Sequence, residues 1–184
     1  NTCIACNQAC LDHTFTGQLT SCLVNARACR ETEITIAPAA PPRRIAVVGA
    51  GPAGLAFATI AAERGHHVTL FDAADEIGGQ FNLAKRIPGK EEFYETLRYF
   101  ARMIELRGID LRLNTRVSAG DLEGFDEVVL ATGIEPRTPE LPGIDHPKVV
   151  RYIDVITGKA EVGQKVAIMG AGGIGFDVAE LITH

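Results

Sequence analysis

The stretch Ile45-Ala46-Val47-Val48-Gly49-Ala50-Gly51-Pro52-Ala53-Gly54 decides the fold of this 184-residue chain. Its apolar run, residues 45–48, is typical of a parallel strand that is covered on both faces. The glycines that follow have the spacing G-x-G-x-x-G, in which Gly49 allows a tight turn and Gly51 allows the backbone to approach a pyrophosphate. Gly54 allows a helix to pack closely on the strand, and that helix, from Pro52-Ala53, presents free N–H groups to the anion.

The residues after the glycine turn complete a nucleotide-binding unit. Gly65 ends the predicted helix, and the next predicted strand, His67-Val68-Thr69-Leu70-Phe71, leads directly to Asp72, 18 residues after Gly54. A carboxylate at this place accepts hydrogen bonds from a ribose diol and favours an unphosphorylated adenosine ribose. The order of strand, glycine turn, helix, strand and acid predicts a dinucleotide site, with a glycine turn that binds no ligand as the alternative.

A second fingerprint, Gly170-Ala171-Gly172-Gly173-Ile174-Gly175, follows a predicted strand over residues 165–169. Its first glycine lies 121 residues after Gly49, so we predict a second dinucleotide, held through Gly170, Gly172 and Gly175. This separation resembles that of the two-dinucleotide flavoproteins, in which a nicotinamide-binding domain is inserted into an FAD-binding domain. Residues 165–184 would supply only its opening strand and helix, which leaves Leu181 and Ile182 without most of their usual cover. We therefore expect this tail to be mobile or to pack on a neighbour.

Four cysteines near the start of the chain, Cys3, Cys6, Cys10 and Cys22, have the spacing C-x2-C-x3-C-x11-C. Three thiolates on one tight loop and a fourth from nearby suit a cubane 4Fe–4S cluster. A zinc site is an alternative, although structural zinc more often uses paired C-x2-C knuckles, and disulfides or unligated thiols are others. Cys29 lies outside the pattern and is predicted to be a packed thiol.

The charge balance and the absence of several motifs exclude some classes of function. The chain has 18 basic and 23 acidic residues, and its basic residues are scattered, so nucleic-acid binding is not expected. No apolar run is long enough to span a bilayer and no signal peptide precedes the cysteines, so we expect a cytoplasmic protein without a membrane partner. No hydrolase motif is present, and no catalytic residue is assigned.

The segment Glu76-Ile77-Gly78-Gly79-Gln80 resembles the acidic and double-glycine segment of the two-dinucleotide flavoproteins. The resemblance implies FAD, rather than NAD, at the first site, with Gly79 and Gln80 beside the pyrophosphate and the ribityl arm. It also implies that Val117 offers backbone groups to the adenine edge and that Ala131-Thr132-Gly133 lies near the cofactor. The predicted FAD residues are thus Gly49, Gly51, Pro52, Ala53, Gly54, Asp72, Gly79, Gln80, Val117, Ala131, Thr132 and Gly133.

The order of the predicted elements gives the fold class and the domains. We predict an iron–sulfur lobe at residues 1–36, a linker at 37–42, an FAD-binding domain at 43–150 and the start of a truncated NAD(P)H-binding domain at 151–184. The linker contains three prolines, which exclude a helix or a central strand. The fold class is α/β, a Rossmann-like FAD-binding domain of the two-dinucleotide flavoprotein type with a small N-terminal Cys-rich lobe. Further elements are predicted as a helix over residues 91–107 and strands over 109–113 and 127–130.

Longer runs of sequence resemble the bacterial NADPH-dependent 2,4-dienoyl-CoA reductases, iron–sulfur flavoproteins related to trimethylamine dehydrogenase and the old yellow enzymes. These runs are residues 1–12, 20–25, 78–82 and 87–97. The resemblance implies a relay in which NADPH gives hydride to FAD and the 4Fe–4S cluster carries electrons singly. An FMN in an upstream barrel, which this chain lacks, would then reduce an acyl-CoA of fatty acid β-oxidation. Because the chain lacks an initial Met and ends within a predicted helix, we expect an internal fragment.

Three other interpretations stay open at the level of sequence. An amine dehydrogenase of the trimethylamine type would have a similar flavin fold that holds ADP instead of FAD, although the intact second fingerprint weighs against it. An electron-transfer module, comparable with the small subunit of glutamate synthase, would feed a separate partner instead of its own barrel. A non-catalytic nucleotide-binding scaffold would leave the clustered cysteines hard to explain.

Overall fold

The structure, a computed structural model, describes residues 1–184. Its helices are α1 (Leu11–Phe15), α2 (Pro52–Glu63), α3 (Phe81–Ala84), α4 (Glu92–Arg107), α5 (Tyr152–Ile156) and α6 (Gly173–Thr183). Its strands are β1 (Arg44–Val48), β2 (His67–Phe71), β3 (Asp110–Arg112) and β4 (Glu127–Leu130), and a 3-10 turn covers Gly120–Leu122. The alternation of strands and helices confirms the predicted α/β class.

The four strands form one parallel sheet in the order β3-β2-β1-β4. In the central strand β1, Val47 pairs with Leu70 of β2 on one side and with Val129 of β4 on the other. Ala46 and Val47 are fully buried, as the unbroken apolar run predicts for a strand covered on both faces. The carboxyl ends of β1, β2 and β4 therefore meet at one edge of the sheet, directly before the glycine turn, Asp72 and Ala131.

Helices α2 and α4 supply the apolar cover of this sheet. Leu55 of α2 is fully buried, and Leu97 and Ile104 of α4 belong to the same core cluster as the strand residues. Phe93 of α4 packs edge-on against Phe81, with ring centroids 4.6 Å apart. The apolar positions of α4 recur at helical intervals, and the structure confirms that this face of the helix is packed.

The chain folds as two compact units. The first contains Asn1–Phe81 and Glu92–Gly133, and the second contains Asn82–Glu91 and Ile134–His184. The predicted division into a cluster lobe, a linker and two nucleotide domains stays a prediction. Within the first unit, the linker residues 37–42 are irregular and are held to the end of α2, where the Ala39 N–H donates to Arg64 O at 2.7 Å.

The second unit has a small core of its own. Ile87, Ile156 and Val178 are buried there, and Leu83, Tyr152, Leu181 and Ile182 pack around them. Leu181 and Ile182 are therefore partly covered by their own chain, which is more cover than the sequence predicted. In the same unit, Lys90 Nζ contacts both carboxylate oxygens of Asp177, at 2.6 and 2.7 Å.

The strand predicted over residues 165–169 is absent, and this segment is irregular and exposed instead. A β-strand requires a hydrogen-bonded neighbour, and the second unit contains no other strand that could pair with it. The prediction of this strand was therefore wrong for the structure, although the helix that follows it is present. None of the helices combines the length and the apolar composition that crossing a membrane requires.

Candidate functional site

The first glycine turn, residues 49–54, is closed by backbone contacts that exclude side chains at two of its glycines. Gly49 has a φ of +108°, and its N–H donates to Phe71 O at 2.7 Å. A Cβ at Gly49 would lie 2.2 Å from Ala131 O, and one at Gly54 would lie 1.8 Å from Gly49 O. Glycine is therefore required at both positions to join the end of β1 to the start of α2.

The side of Gly51 on which a side chain would lie faces open space. It is the N-cap of α2, with no side-chain hydrogen bond to the helix end, and a Cβ built on it would meet no atom within 4 Å. Ala53, in the first turn of the helix, is exposed. The first N–H groups of a helix have no partner within it, and together with the helix dipole they favour an anion. This end of α2 thus fits a pyrophosphate group that approaches Gly51.

The carboxylate of Asp72 lies at the end of β2 beside the turn. Its Oδ2 accepts a hydrogen bond from Ala50 N at 2.6 Å, and its Oδ1 accepts one from Ala74 N at 2.8 Å. The sequence assigned this carboxylate to a ribose diol, and each oxygen has a further lone pair for that purpose. The two backbone contacts add a second effect, because they fix the orientation of the carboxylate. Sequence reasoning did not single out Ala50, since it occupies a variable position of the motif.

The double glycine packs directly against the first turn. Gly78 N donates to Ala50 O at 2.8 Å, and a Cβ on Gly79 would lie 3.1 Å from Gly51 Cα. Gly79 is exposed with a φ of +52°, and Gln80 is exposed beside it. The structure therefore brings the glycine turn, residues 49–54, against the double-glycine segment, residues 78–80. Gly79 and Gln80 remain open to a ligand beside Gly51.

The remaining predicted FAD residues lie along the same edge of the sheet. Val117 is half-buried and follows β3, where Thr115 N donates to Asp72 O at 2.8 Å. Ala131 is half-buried against the turn, and its N–H donates to Val48 O at 2.8 Å. Thr132 and Gly133 are exposed. Their assignment to FAD stays a prediction, and their positions are compatible with it.

The second glycine turn, residues 170–175, repeats the backbone of the first. Gly170 has a φ of +117°, and Gly172 is the N-cap of α6, with φ −86° and ψ −179°. The corresponding angles at Gly51 are −74° and −179°. A Cβ on Gly175 would lie 2.1 Å from Gly170 O, the same contact that closes the first turn. The NADPH assignment of these three glycines stays a prediction.

Two backbone hydrogen bonds and one from a side chain hold together the loops that carry the four cysteines. Ser21 N donates to Ala9 O at 2.8 Å, which joins the neighbours of Cys22 and Cys10. Asp12 N donates to Asn7 O at 3.1 Å, and Asn1 Nδ2 donates to Val24 O at 3.0 Å. Each cysteine is therefore within two residues of a hydrogen bond that leads to the segment of another cysteine.

The thiol groups of the four cysteines do not lie close enough together in the structure to form a metal site. All the cysteines are free, and no three of the Cys, His, Asp and Glu side chains form a group that could hold a metal ion. Metal binding would require the thiol side chains to turn toward one another. The donor set fits an iron–sulfur cluster, since it consists of thiols, and Ala5 N already donates to Cys3 Sγ at 3.3 Å. Cys29, predicted to be packed, is exposed instead, because it sits in a turn with a φ of +60°.

Comparison with known proteins places the chain among redox enzymes. It is 41% identical over 188 residues to a metal reductase of Desulforamulus reducens, covering 99% of this chain and 28% of that protein. It is 38% identical over 178 residues to an N,N-dimethylglycine/sarcosine dehydrogenase of Chromohalobacter salexigens, covering 90% of this chain and 26% of that protein. Among solved structures, it superposes on 2-naphthoyl-CoA reductase in complex with 2-naphthoyl-CoA with a TM-score of 0.93. That match has 39% identity and covers 98% of this chain and 28% of the other.

The chain thus spans little more than a quarter of the length of these relatives. The sequence model of the pyridine nucleotide-disulphide oxidoreductases matches residues 11–124 and residues 43–184. The second of these matches includes both glycine turns, Asp72 and the whole parallel sheet. The chain therefore belongs to the pyridine nucleotide-disulphide oxidoreductase family, a membership that implies FAD and NAD(P)H as cofactors.

Proposed function

We propose that this chain is the electron-relaying part of a larger oxidoreductase, with FAD at the first glycine turn and NADPH at the second. The observation that carries the proposal is the repetition of one turn geometry, at residues 49–54 and 170–175, within a single chain. Two such turns suit two dinucleotides. Bound FAD would supply the exchange between hydride transfer, which moves two electrons together, and single-electron transfer.

At the first turn, each group would have a separate task. The N–H groups at the start of α2 bind the pyrophosphate, and Asp72 orients the adenosine ribose. Gly79 and Gln80 run beside the ribityl arm, and Val117 meets the adenine edge. No lysine or arginine lies within residues 49–54. The helix N-terminus and the backbone N–H groups therefore compensate the charge of the pyrophosphate.

The four cysteines would hold a 4Fe–4S cluster that passes single electrons onward. In this proposal the acceptor is FMN in a barrel domain of the complete protein, and the final substrate is an unsaturated acyl-CoA thioester, specifically a 2,4-dienoyl-CoA. The support is the resemblance of residues 1–12, 20–25, 78–82 and 87–97 to the dienoyl-CoA reductases. The similarity to a reductase whose complex contains an aromatic acyl-CoA supports the same substrate class.

A second candidate is an amine dehydrogenase, favoured by the 38% identity to the N,N-dimethylglycine/sarcosine dehydrogenase. Such an enzyme would take electrons from a methylated amine. The second glycine turn favours the reductase, because its backbone at Gly170 and Gly175 repeats that of the first turn and so suits a second nucleotide.

The two candidates differ in which compound reduces the protein. The complete protein is purified without oxygen, its iron, acid-labile sulfide and flavin are quantified, and it is mixed in a stopped-flow instrument with NADPH, NADH or dimethylglycine. We expect about four irons per chain, rapid bleaching of the flavin by NADPH, and NADPH oxidation on addition of a 2,4-dienoyl-CoA. Bleaching by the amine and not by either nicotinamide would overturn the proposal. Gly172→Ala serves as the control, since it should slow bleaching by NADPH without removing the flavin.

A further inference from the structure

The cysteine lobe contains a buried hydrogen-bond donor without an acceptor. Arg27 Nε is buried and has no partner among the atoms of the structure. A guanidinium carries donors only, and a buried donor that lacks an acceptor is costly and rare in folded proteins. This atom therefore points to an acceptor that the polypeptide itself does not provide.

Two consecutive turns place Arg27 next to the segment that carries Cys22. Asn25 N donates to Cys22 O at 3.4 Å, and Arg27 N donates to Asn25 Oδ1 at 3.2 Å. Arg30 N donates in turn to Arg27 O at 2.8 Å. The backbone of Arg27 is thus fixed by contacts on both sides, five residues after Cys22.

The predicted ligands of the lobe offer the kind of acceptor that is missing. Thiolates and the sulfides of an iron–sulfur cluster accept N–H hydrogen bonds and together carry net negative charge. A guanidinium is always charged and is more weakly hydrated than an ammonium group, so it suits a partly buried contact with an anion. Arg30, in contrast, is exposed.

We propose that Arg27 donates its Nε–H to a sulfur of the cluster held by Cys3, Cys6, Cys10 and Cys22, and that it thereby raises the reduction potential of the cluster. The proposal rests on the function proposed above. Reduction adds one electron, supplied through FAD, and no bond is made or broken. Because the added charge is negative, a nearby cation and a hydrogen bond to sulfur favour the reduced form. Arg27 is a positioning and tuning residue and does not contact the substrate.

The test is a redox titration of the anaerobic holoprotein, followed by electron paramagnetic resonance of the reduced cluster. It compares wild type, Arg27→Gln, Arg27→Lys and, as matched control, Arg30→Gln. For Arg27→Gln we expect about a tenfold smaller equilibrium constant for one-electron reduction, a shift of about 59 mV to lower potential. Arg27→Lys keeps the charge and loses the Nε–H, so its shift should be smaller but in the same direction. Arg30→Gln should titrate as wild type.

The outcomes distinguish a failure of the proposed cluster from a failure of the proposed role of Arg27. Wild-type protein without iron and sulfide would overturn both the proposed cluster and this role. A cluster of normal iron content and unchanged potential in Arg27→Gln would overturn the role of Arg27 alone. If Arg27→Gln retains flavin but loses iron, Arg27→Lys decides: a lowered potential supports the proposal, and a wild-type potential overturns it.

Discussion

The two glycine turns have the same backbone and very different surroundings. At the first turn, Gly49 is held between Phe71 O and Ala131 O, and Gly79 approaches Gly51 from the other side. At the second turn, a Cβ on Gly170 or Gly172 would meet no atom within 4 Å. The comparison teaches that the turn conformation is a local property of the glycines and the helix start. The cradle around it depends on neighbouring strands, which only the first turn has in this chain.

The sharpest test of this comparison replaces the last glycine of each turn. Gly54→Ala should lower the free energy of unfolding by about 3 kcal/mol, because its Cβ would collide with Gly49 O and Gly49 is itself fixed by Ala131. Gly175→Ala makes the same collision with Gly170 O, but Gly170 can shift, so about 1 kcal/mol or less is expected. Urea denaturation of both variants measures the difference. Equal losses would show that the surroundings of the turns are unimportant.

The second test replaces the glycine that faces open space in each turn. Gly51→Ala should leave the stability of the flavin-free protein unchanged, since its Cβ meets no protein atom, but should weaken FAD binding at least about tenfold. Gly172→Ala should leave the FAD content unchanged and weaken only the binding of NADPH. Flavin content and nucleotide titrations distinguish the two. Unchanged FAD affinity in the Gly51→Ala variant would mean that FAD does not approach this turn.

A smaller effect is expected from the ion pair that holds α6 in the second unit. Lys90 and Asp177 have side chains that are 36% and 26% exposed, so removing the charge in Asp177→Asn should cost about 1 kcal/mol of unfolding free energy. Arg102→Gln is the matched control, because Arg102 and Glu105 form a far more exposed pair on α4. If Asp177→Asn unfolds at the same urea concentration as wild type, the Lys90–Asp177 pair does not stabilise the second unit.

The smallest effect is expected at Asp121, which lies in neither glycine turn and therefore provides a baseline for the other tests. The backbone N–H of Ser118 and, with a smaller effect, its hydroxyl donate to the Asp121 carboxylate. Both hydrogen bonds hold the pKa of that carboxyl below its usual value. A lowered pKa in the folded state means that the contribution to stability is complete above the ordinary carboxyl pKa. It is lost as the pH falls through the lowered value. The protection factor of the Ser118 amide, which compares its exchange rate with that of an unstructured peptide at the same pH, should therefore fall in acid in wild type, and this fall should be absent in Asp121→Asn.

Much of the first unit could be predicted because its signals are local. Glycines at the ends of elements, together with apolar runs, predicted β1, β2, β4 and α4 to within a residue at each end. The double glycine was assigned to the first site by resemblance, and the structure places it against Gly51. These features depend on residues that are close in sequence or on a motif of fixed spacing.

The features that escaped prediction depend on contacts between distant parts of the chain. Lys90 and Asp177 are 87 residues apart, and no pattern in either segment marks them as partners. The strand expected at residues 165–169 did not form because a strand depends on its neighbour as well as on its own sequence. The Ala50 contact of Asp72 and the unpartnered Arg27 Nε likewise become visible only in three dimensions.

The inclusion of Asn82–Glu91 in the second unit has a consequence for how this protein can be divided. The chain passes between the units at residues 81/82, 91/92 and 133/134, so the units are interleaved along the sequence. No single cut releases the second unit intact, because Ile87 and Lys90 would stay behind with the other piece. A chimaera that exchanges the second unit with that of a relative must therefore transplant two separate segments, and limited proteolysis at residue 133 alone should leave both pieces associated.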